Sequence, residues 1–149
     1  MKNALLLRQL EEILSTETDP IANMANTAAV LFNGLAHLNW AGFYVLRGKE
    51  LVLGPFQGKP ACVRIALGKG VCGTAAQTRQ TQRVEDVHRF TGHIACDSAS
   101  NSEIVVPIFK NGTVWGVLDM DSPIVARFGP AEQDLFEHVV QLFVEKTAL

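Results

Sequence analysis

Short connections between predicted strands are the feature that most restricts how this chain can fold. Two amphipathic helices come first, one over residues 4–14 and a second that Asp19 caps and Pro20 begins. From Trp40 onward the apolar pattern becomes that of strands, predicted at residues 40–46, 51–56, 64–67, 81–85, 103–109 and 113–120. Most of the connections are too short for a helical crossover, so neighbouring strands must run antiparallel.

The helices at the two ends of the chain carry apolar stripes that need a sheet to cover. In the second helix the stripe is Ile21, Met24, Ala25, Ala28, Leu31, Phe32 and Leu35, and in the last helix, which starts after Phe128-Gly129-Pro130, it is Phe136, Val139, Val140 and Phe143. We therefore expect an α+β fold with these helices on one face of a mostly antiparallel sheet of about six strands. A ligand pocket roofed by loops would occupy the other face. The long polar segment 87–102 is the expected roof, since long loops in compact domains are usually functional.

Length and charge narrow the class of protein. The 149 residues favour one domain over residues 1–149, and a net charge of −2 argues against nucleic acid as the main partner. No apolar run approaches the ~18 residues of a membrane span, so a soluble, cytoplasmic protein is expected. Three cysteines are too few and odd in number for a secreted disulfide scaffold.

The cysteines allow both ordinary and chemical interpretations. Cys72 fits a small buried residue, whereas Cys96 lies in the expected roof, where nearby His93 could favour the thiolate. His93 could equally be solvated. His88, His93 and Cys96 could also bind zinc, but their spacing matches no known zinc motif, and no metal is expected.

A glycine pattern around Cys72 suggests a second possible site. Residues 68–73 match G-x-G-x-x-G between a predicted strand and a short helix at residues 71–78. That helix is too short for the usual crossover of a dinucleotide site. We therefore interpret the glycines as a tight turn.

The acidic residues near the last hairpin are more informative. Asp119 and Asp121 share one face of a strand, although a solvent-facing strand end is a fair alternative. A two-residue loop at Asn111-Gly112 pairs Glu103 with Met120, whereas a three-residue loop pairs it with Asp119. We predict the three-residue loop, which gathers three carboxyl groups on one patch. Crowding raises their pKa values, so one provides a general acid and the others bind a cation.

Two aromatic residues share a face of the first strand. Trp40 and Tyr44 flank Gly42, which would leave a hollow between them. They are either core residues or the walls of a pocket that contacts a small cation or a methyl group.

Ordered motifs over nearly the whole chain resemble the free methionine-(R)-sulfoxide reductases, a family of single GAF domains. The motifs are Gly42-Phe43-Tyr44, Leu51-Val52-Leu53-Gly54-Pro55-Phe56-Gln57-Gly58, Ala61-Cys62, Gly70-Val71-Cys72-Gly73, Gly92-His93-Ile94-Ala95-Cys96-Asp97, Ser102-Glu103-Ile104-Val105-Val106-Pro107 and Gly116-Val117-Leu118-Asp119-Met120-Asp121-Ser122. The resemblance implies reduction of the R-sulfoxide of free methionine.

The resemblance also implies a role for each matched residue. Cys96 matches the catalytic cysteine, Cys62 the usual resolving cysteine and Cys72 a third cysteine, a less certain resolving residue whose recycling role varies between members. The matched substrate pocket comprises Trp40, Tyr44, Glu103, Asp119 and Asp121, with Asp121 or Glu103 as the acid. No bound cofactor is implied. Thioredoxin, with electrons from NADPH, is the implied reductant, and a homodimer is expected from similarity.

Two other functions remain open on the sequence. GAF folds commonly bind small ligands as sensors without catalysis, and fold alone does not give function. Alternatively, Cys96 and Cys62 would form a redox switch that a partner protein reads.

Overall fold

The secondary structure follows the order that the sequence indicates. The computed structural model describes residues 2–94, 96 and 98–149. In these ranges the α-helices are α1 (Lys2–Leu14), α2 (Pro20–Gly34), α3 (Gly70–Thr78) and α4 (Pro130–Lys146). The strands are β1 (Trp40–Arg47), β2 (Glu50–Gly58), β3 (Arg64–Ala66), β4 (Gln82–Val84), β5 (Ser102–Lys110) and β6 (Thr113–Ser122). None of the helices in these ranges has the length and apolar character needed to cross a membrane.

The strands form one sheet in the order β3-β2-β1-β6-β5-β4, and every neighbouring pair is antiparallel. This confirms the predicted sheet. Helices α1, α2 and α4 pack on one face, around Phe43, Phe136 and Phe143. The opposite face is covered by α3 as well as by loops, because Val71 and Ala75 of this helix join the cluster around Val117. The prediction of a roof made of loops alone was therefore incomplete.

Helix α2 begins as predicted but is rotated relative to the predicted stripe. The Asp19 carboxylate accepts a hydrogen bond from the backbone N–H of Ala22 at 3.0 Å, and Pro20 is the first helical residue. Ile21, however, is 67% exposed, and Ala25 is also exposed. The buried face instead includes Asn23, whose Nδ2 donates to the Glu17 carbonyl at 2.9 Å. This hydrogen bond sets the rotation of the first turn of α2 about its axis, which the spacing of the apolar residues did not indicate.

The β5–β6 hairpin reaches the predicted carboxyl patch by a different register. Its loop has two residues, Asn111 and Gly112, both with positive φ, and Lys110 pairs with Thr113. The prediction of a three-residue loop that pairs Glu103 with Asp119 was therefore wrong. A bulge at Trp115 shifts the register, so Glu103 lies opposite Asp121 instead. This extra residue restores the alternation that places Glu103 on the same face as Asp119 and Asp121.

The glycine-rich segment before α3 is a tight turn, as the sequence predicted. Gly68 and Gly70 adopt positive φ values of 82° and 60°. The Gly68 N–H donates to the Gly73 carbonyl at 2.9 Å, so this donor is used within the turn. A side chain on Gly70 would meet Ile94 of the roof at 3.2 Å.

The predicted hollow at Gly42 is filled. A Cβ atom on Gly42 would collide with Phe56 and would lie 2.9 Å from the Trp40 ring. Trp40 stacks on Phe56 with ring centroids 5.2 Å apart. Gly42 therefore permits aromatic packing over β1 and leaves no ligand space of its own.

We expect Gly42→Ala to lower the free energy of unfolding by about 1–3 kcal/mol, because overpacking must displace Phe56 and Trp40. Urea denaturation measures this loss. Gly34→Ala is the matched control, since its added methyl meets only the flexible end of Leu6 at 3.2 Å. Equal stabilities of the two variants would contradict the close packing described for Gly42.

Candidate active site

A small cavity of about 40 Å³ lies on the sheet face opposite α1, α2 and α4. Strands β1, β5 and β6 form its floor, α3 forms one wall, and the segment between β4 and β5 forms its roof. The predicted site residues that line the cavity are Trp40, Tyr44, Cys72, Cys96, Glu103, Asp119 and Asp121. Cys62 lies next to it, since the neighbouring Ala61 is a lining residue.

Three carboxyl groups converge on the cavity floor. Glu103 and Asp119 are only 7% and 5% exposed. Burial raises the pKa of each of Glu103, Asp119 and Asp121 well above its usual value. A neighbouring carboxylate is the next cause: Asp119 for Glu103, Asp121 for Asp119, and Glu103 for Asp121. The cluster therefore retains at least one proton near neutral pH.

Neutral donors serve one oxygen of each aspartate. The Cys72 thiol donates to Asp119 Oδ2 at 3.3 Å, and the Ser100 hydroxyl donates to Asp121 Oδ2 at 3.3 Å. In the described part of the chain, the other oxygens, Asp119 Oδ1 and Asp121 Oδ1, are buried and accept no hydrogen bond from a thiol, hydroxyl or N–H group. The carboxyl groups also hydrogen-bond one another. Oxygens of this kind can accept from the retained proton or from a cationic or N–H-bearing ligand.

The side chains of Trp40 and Tyr44 line the cavity and also hydrogen-bond the segment after β2. Trp40 Nε1 donates to the Lys59 carbonyl at 3.2 Å, and the Tyr44 hydroxyl donates to the Cys62 carbonyl at 2.8 Å. Burial and the nearby Asp119 raise the pKa of Tyr44, which stays a neutral phenol. The two rings thus line the cavity while their polar ends hold the segment that carries Cys62.

Cys62 and Cys96 are joined by a disulfide, with their Cα atoms 5.6 Å apart. The bond connects the segment after β2 to the roof. Cys72 is a free, buried thiol, in agreement with its interpretation as a small buried residue. Burial and the nearby Asp119 raise the pKa of Cys72 well above its usual value, so it remains protonated.

His93 points into the cavity rather than into solvent. Its Nε2 lies 3.8 Å from Glu103 Oε1. Burial and the neighbouring His88 lower the pKa of His93, which favours the neutral ring. His88 itself is exposed and pairs with Asn101 at 3.0 Å.

The zinc set proposed from the sequence does not form a cluster among the described residues. Cys96 is in the disulfide, and His88 is bonded to Asn101. The ligand atoms that do come together, within 4.8 Å, are those of Cys72, Glu103 and Asp119. These three could hold a metal ion, but they are the same groups that face the cavity and would bind an organic cation.

Sequence reasoning missed several lining residues, notably Ile65, Val71, Ile94 and Ser100. The helical and strand patterns could have indicated Val71 and Ile65. Nothing in the polar segment 87–102 distinguished Ser100 from its neighbours. Ala95 and Asp97, which belong to the motif around Cys96, lie outside the described residues.

Comparison with known proteins identifies relatives of this chain by sequence and by fold. The family model for the GAF domain matches residues 9–144. The free methionine-R-sulfoxide reductase of Escherichia coli is 54% identical over 138 residues, which cover 92% of this chain and 84% of that protein. The enzyme of the same name from Saccharomyces cerevisiae is 44% identical over 151 residues, covering 96% of this chain and 79% of that protein.

A solved structure agrees equally well. The fRMsr of Staphylococcus aureus in complex with substrate superposes with a TM-score of 0.94 at 49% identity, covering 98% of this chain and 95% of that one. The resemblance inferred from the motifs is thereby confirmed. On these matches of sequence and fold, the chain belongs to the free methionine-R-sulfoxide reductase family of GAF domain proteins.

Proposed function

We propose that this protein reduces free L-methionine-(R)-sulfoxide to methionine with a cysteine thiol. The observation that carries the proposal is the Cys62–Cys96 pair beside a small cavity floored by three carboxyl groups, of which Glu103 and Asp119 are buried. The names of the relatives from Escherichia coli and Saccharomyces cerevisiae support it, as does the substrate complex from Staphylococcus aureus. In this proposal one domain over residues 1–149 carries the whole site.

The first step uses Cys96 as the nucleophile. Its thiolate attacks the sulfoxide sulfur while the protonated carboxyl group of Glu103 gives a proton to the sulfoxide oxygen. The oxygen ends on Cys96 as a sulfenic acid, and methionine leaves. The substrate sulfur gains the two electrons that the Cys96 sulfur loses. The raised pKa of Glu103 keeps such a proton available near neutral pH.

The second step regenerates the thiol. The Cys62 thiol attacks the sulfenic acid, water leaves, and the Cys62–Cys96 disulfide forms. A dithiol protein such as thioredoxin then reduces that bond by exchange, with electrons from NADPH in the cytoplasm. No bound cofactor takes part in this scheme. Cys72 contributes a hydrogen bond to Asp119 rather than a second resolving thiol.

Selection of a free amino acid follows from the size and charge of the cavity. The ammonium group satisfies Asp119 Oδ1 and Asp121 Oδ1, the buried acceptors. Trp40 and Tyr44 form the wall against the methyl group. A peptide-bound methionine has no ammonium group to offer, and its flanking chain would have no exit from a small cavity that α3 and the roof cover.

We expect the protein to reduce the R epimer of free methionine sulfoxide with dithiothreitol and to leave the S epimer and peptide-bound sulfoxide largely unchanged. Chromatography of the methionine formed measures all three. Cys96→Ser is expected to abolish turnover, whereas the matched Cys72→Ala retains it. Ligand binding without turnover would instead favour a non-catalytic sensor.

We expect Cys62→Ser to form one methionine per enzyme in the absence of reductant and to lose turnover supported by thioredoxin, because the sulfenic acid then has no resolving partner. A sulfenic-acid probe and peptide mass mapping detect the trapped Cys96 species. In Cys72→Ala the Cys62–Cys96 disulfide should still appear after one turnover. A Cys72–Cys96 bond in the native protein would contradict the role given to Cys72.

A pH-dependent stability effect is expected at Glu103. Its folded pKa is raised, so the unfolded chain loses this proton first, and stability falls as pH rises from about 4 through the folded pKa. Glu103→Gln removes that loss. Its free energy of unfolding relative to the native protein should therefore rise between pH 4 and pH 8 while turnover falls.

The control for this effect is Glu11→Gln, a change at an exposed position on α1. Urea denaturation at several pH values compares the two variants. A Glu103→Gln effect that does not vary with pH would contradict the buried, protonated state of this group.

A further inference from the structure

Ser100 lies where the roof segment joins β5, and it is only 6% exposed. Its hydroxyl oxygen accepts a hydrogen bond from Asn39 Nδ2 at 3.0 Å and donates to Asp121 Oδ2 at 3.3 Å. The side chain therefore connects the loop that contains Cys96 with a carboxyl group on the cavity floor.

The direction of this hydrogen bond is fixed by its partners. A serine hydroxyl has a single proton, and an amide NH₂ group can only donate. Because Asn39 Nδ2 uses a lone pair of Ser100 Oγ, the hydroxyl proton is directed to Asp121. A donor held in this way favours the ionised form of a carboxyl group.

The hydrogen bonds from Asn39 to Ser100 and from Ser100 to Asp121 form a relay, and backbone hydrogen bonds hold both of its ends in place. The Asn39 N–H donates to the Asp121 carbonyl at 3.0 Å, and the Asn101 N–H donates to the Ser122 carbonyl at 2.8 Å. Ser100 is thus held against the end of β6 by its hydrogen-bond partner Asn39 and by the next residue, Asn101.

We propose that Ser100 is a positioning residue that favours the ionised form of Asp121 and leaves its Oδ1 oxygen directed to the substrate ammonium. This inference rests on the proposed function for the identity of the cation. The inference also assigns different roles within the carboxyl cluster. Asp121 supplies the negative charge that binds the cation, and the shared proton resides on Glu103 or Asp119. Glu103 Oε1 lies 3.8 Å from His93 Nε2.

The test compares Ser100→Ala with Ser100→Thr, which retains the hydroxyl, and with Ser98→Ala, which makes the same change at an exposed position of the same segment. Thermal unfolding establishes that each variant is folded. In turnover of free methionine-(R)-sulfoxide with dithiothreitol, Ser100→Ala should raise KM about tenfold with little change in kcat, since the lost contact binds substrate and transition state alike. The acidic limb of its kcat/KM profile should move to higher pH by about one unit.

Ser100→Thr and Ser98→Ala should keep the native profile. An unshifted acidic limb in Ser100→Ala would overturn the inference, as would an equal shift in Ser98→Ala.

A second measurement separates this inference from the proposed function. Carbon NMR of the aspartate carboxyl groups follows the titration of Asp121 directly, in the native protein and in Ser100→Ala without substrate. A higher titration midpoint in the variant supports the relay even if methionine sulfoxide is not turned over. An unchanged midpoint overturns the relay even if the native protein is an active reductase.

Discussion

Burial of three carboxyl groups on one face of the sheet is the constraint on which the rest of the site depends. A carboxylate removed from water must keep a proton, accept hydrogen bonds or meet a cation, because each uncompensated charge costs several kcal/mol. The cluster of Glu103, Asp119 and Asp121 shows the first two of these solutions, since raised pKa values retain a proton and neutral donors serve the aspartates. The thiol of Cys72 and the hydroxyl of Ser100 each serve one aspartate, at 3.3 Å. Two further oxygens, Asp119 Oδ1 and Asp121 Oδ1, are buried acceptors at the cavity, and the proposed function assigns them to the ligand.

The alternation of side chains along β6 separates this costly cluster from the apolar core. Leu118 and Met120 face α1, α2 and α4, while Asp119 and Asp121 face the cavity. The sheet face that α1, α2 and α4 cover can therefore stabilise the fold through apolar packing, because its side chains point away from the cavity. The cavity face carries the polar groups, the disulfide and the roof, and its residues are arranged for contact with a ligand.

Prediction from sequence succeeded where a pattern has one physical meaning and failed where distant packing decides. The antiparallel sheet followed from short connections, and the start of α2 followed from Asp19 and Pro20. The hairpin register did not, because the bulge depends on Trp115, which packs against Phe143 of α4 with ring centroids 5.9 Å apart. No local signal in β6 reports that contact. Ile21 was misassigned for a similar reason, since Asn23 is tied to Glu17 and to Thr147 beyond the end of α4.

By itself, the sequence determined the fold class and the family, and it indicated the side chains that meet at the cavity: the cysteines, the carboxyl groups and the aromatic pair. These depend on residue type and short-range spacing, which are local properties. The tertiary structure alone decided which groups meet. It brought Cys62 to Cys96 across 34 residues, placed the Cys72 thiol on Asp119, and directed the Ser100 hydroxyl to Asp121. Such contacts arise from the packing of separate elements, and a linear pattern does not encode the distance between them.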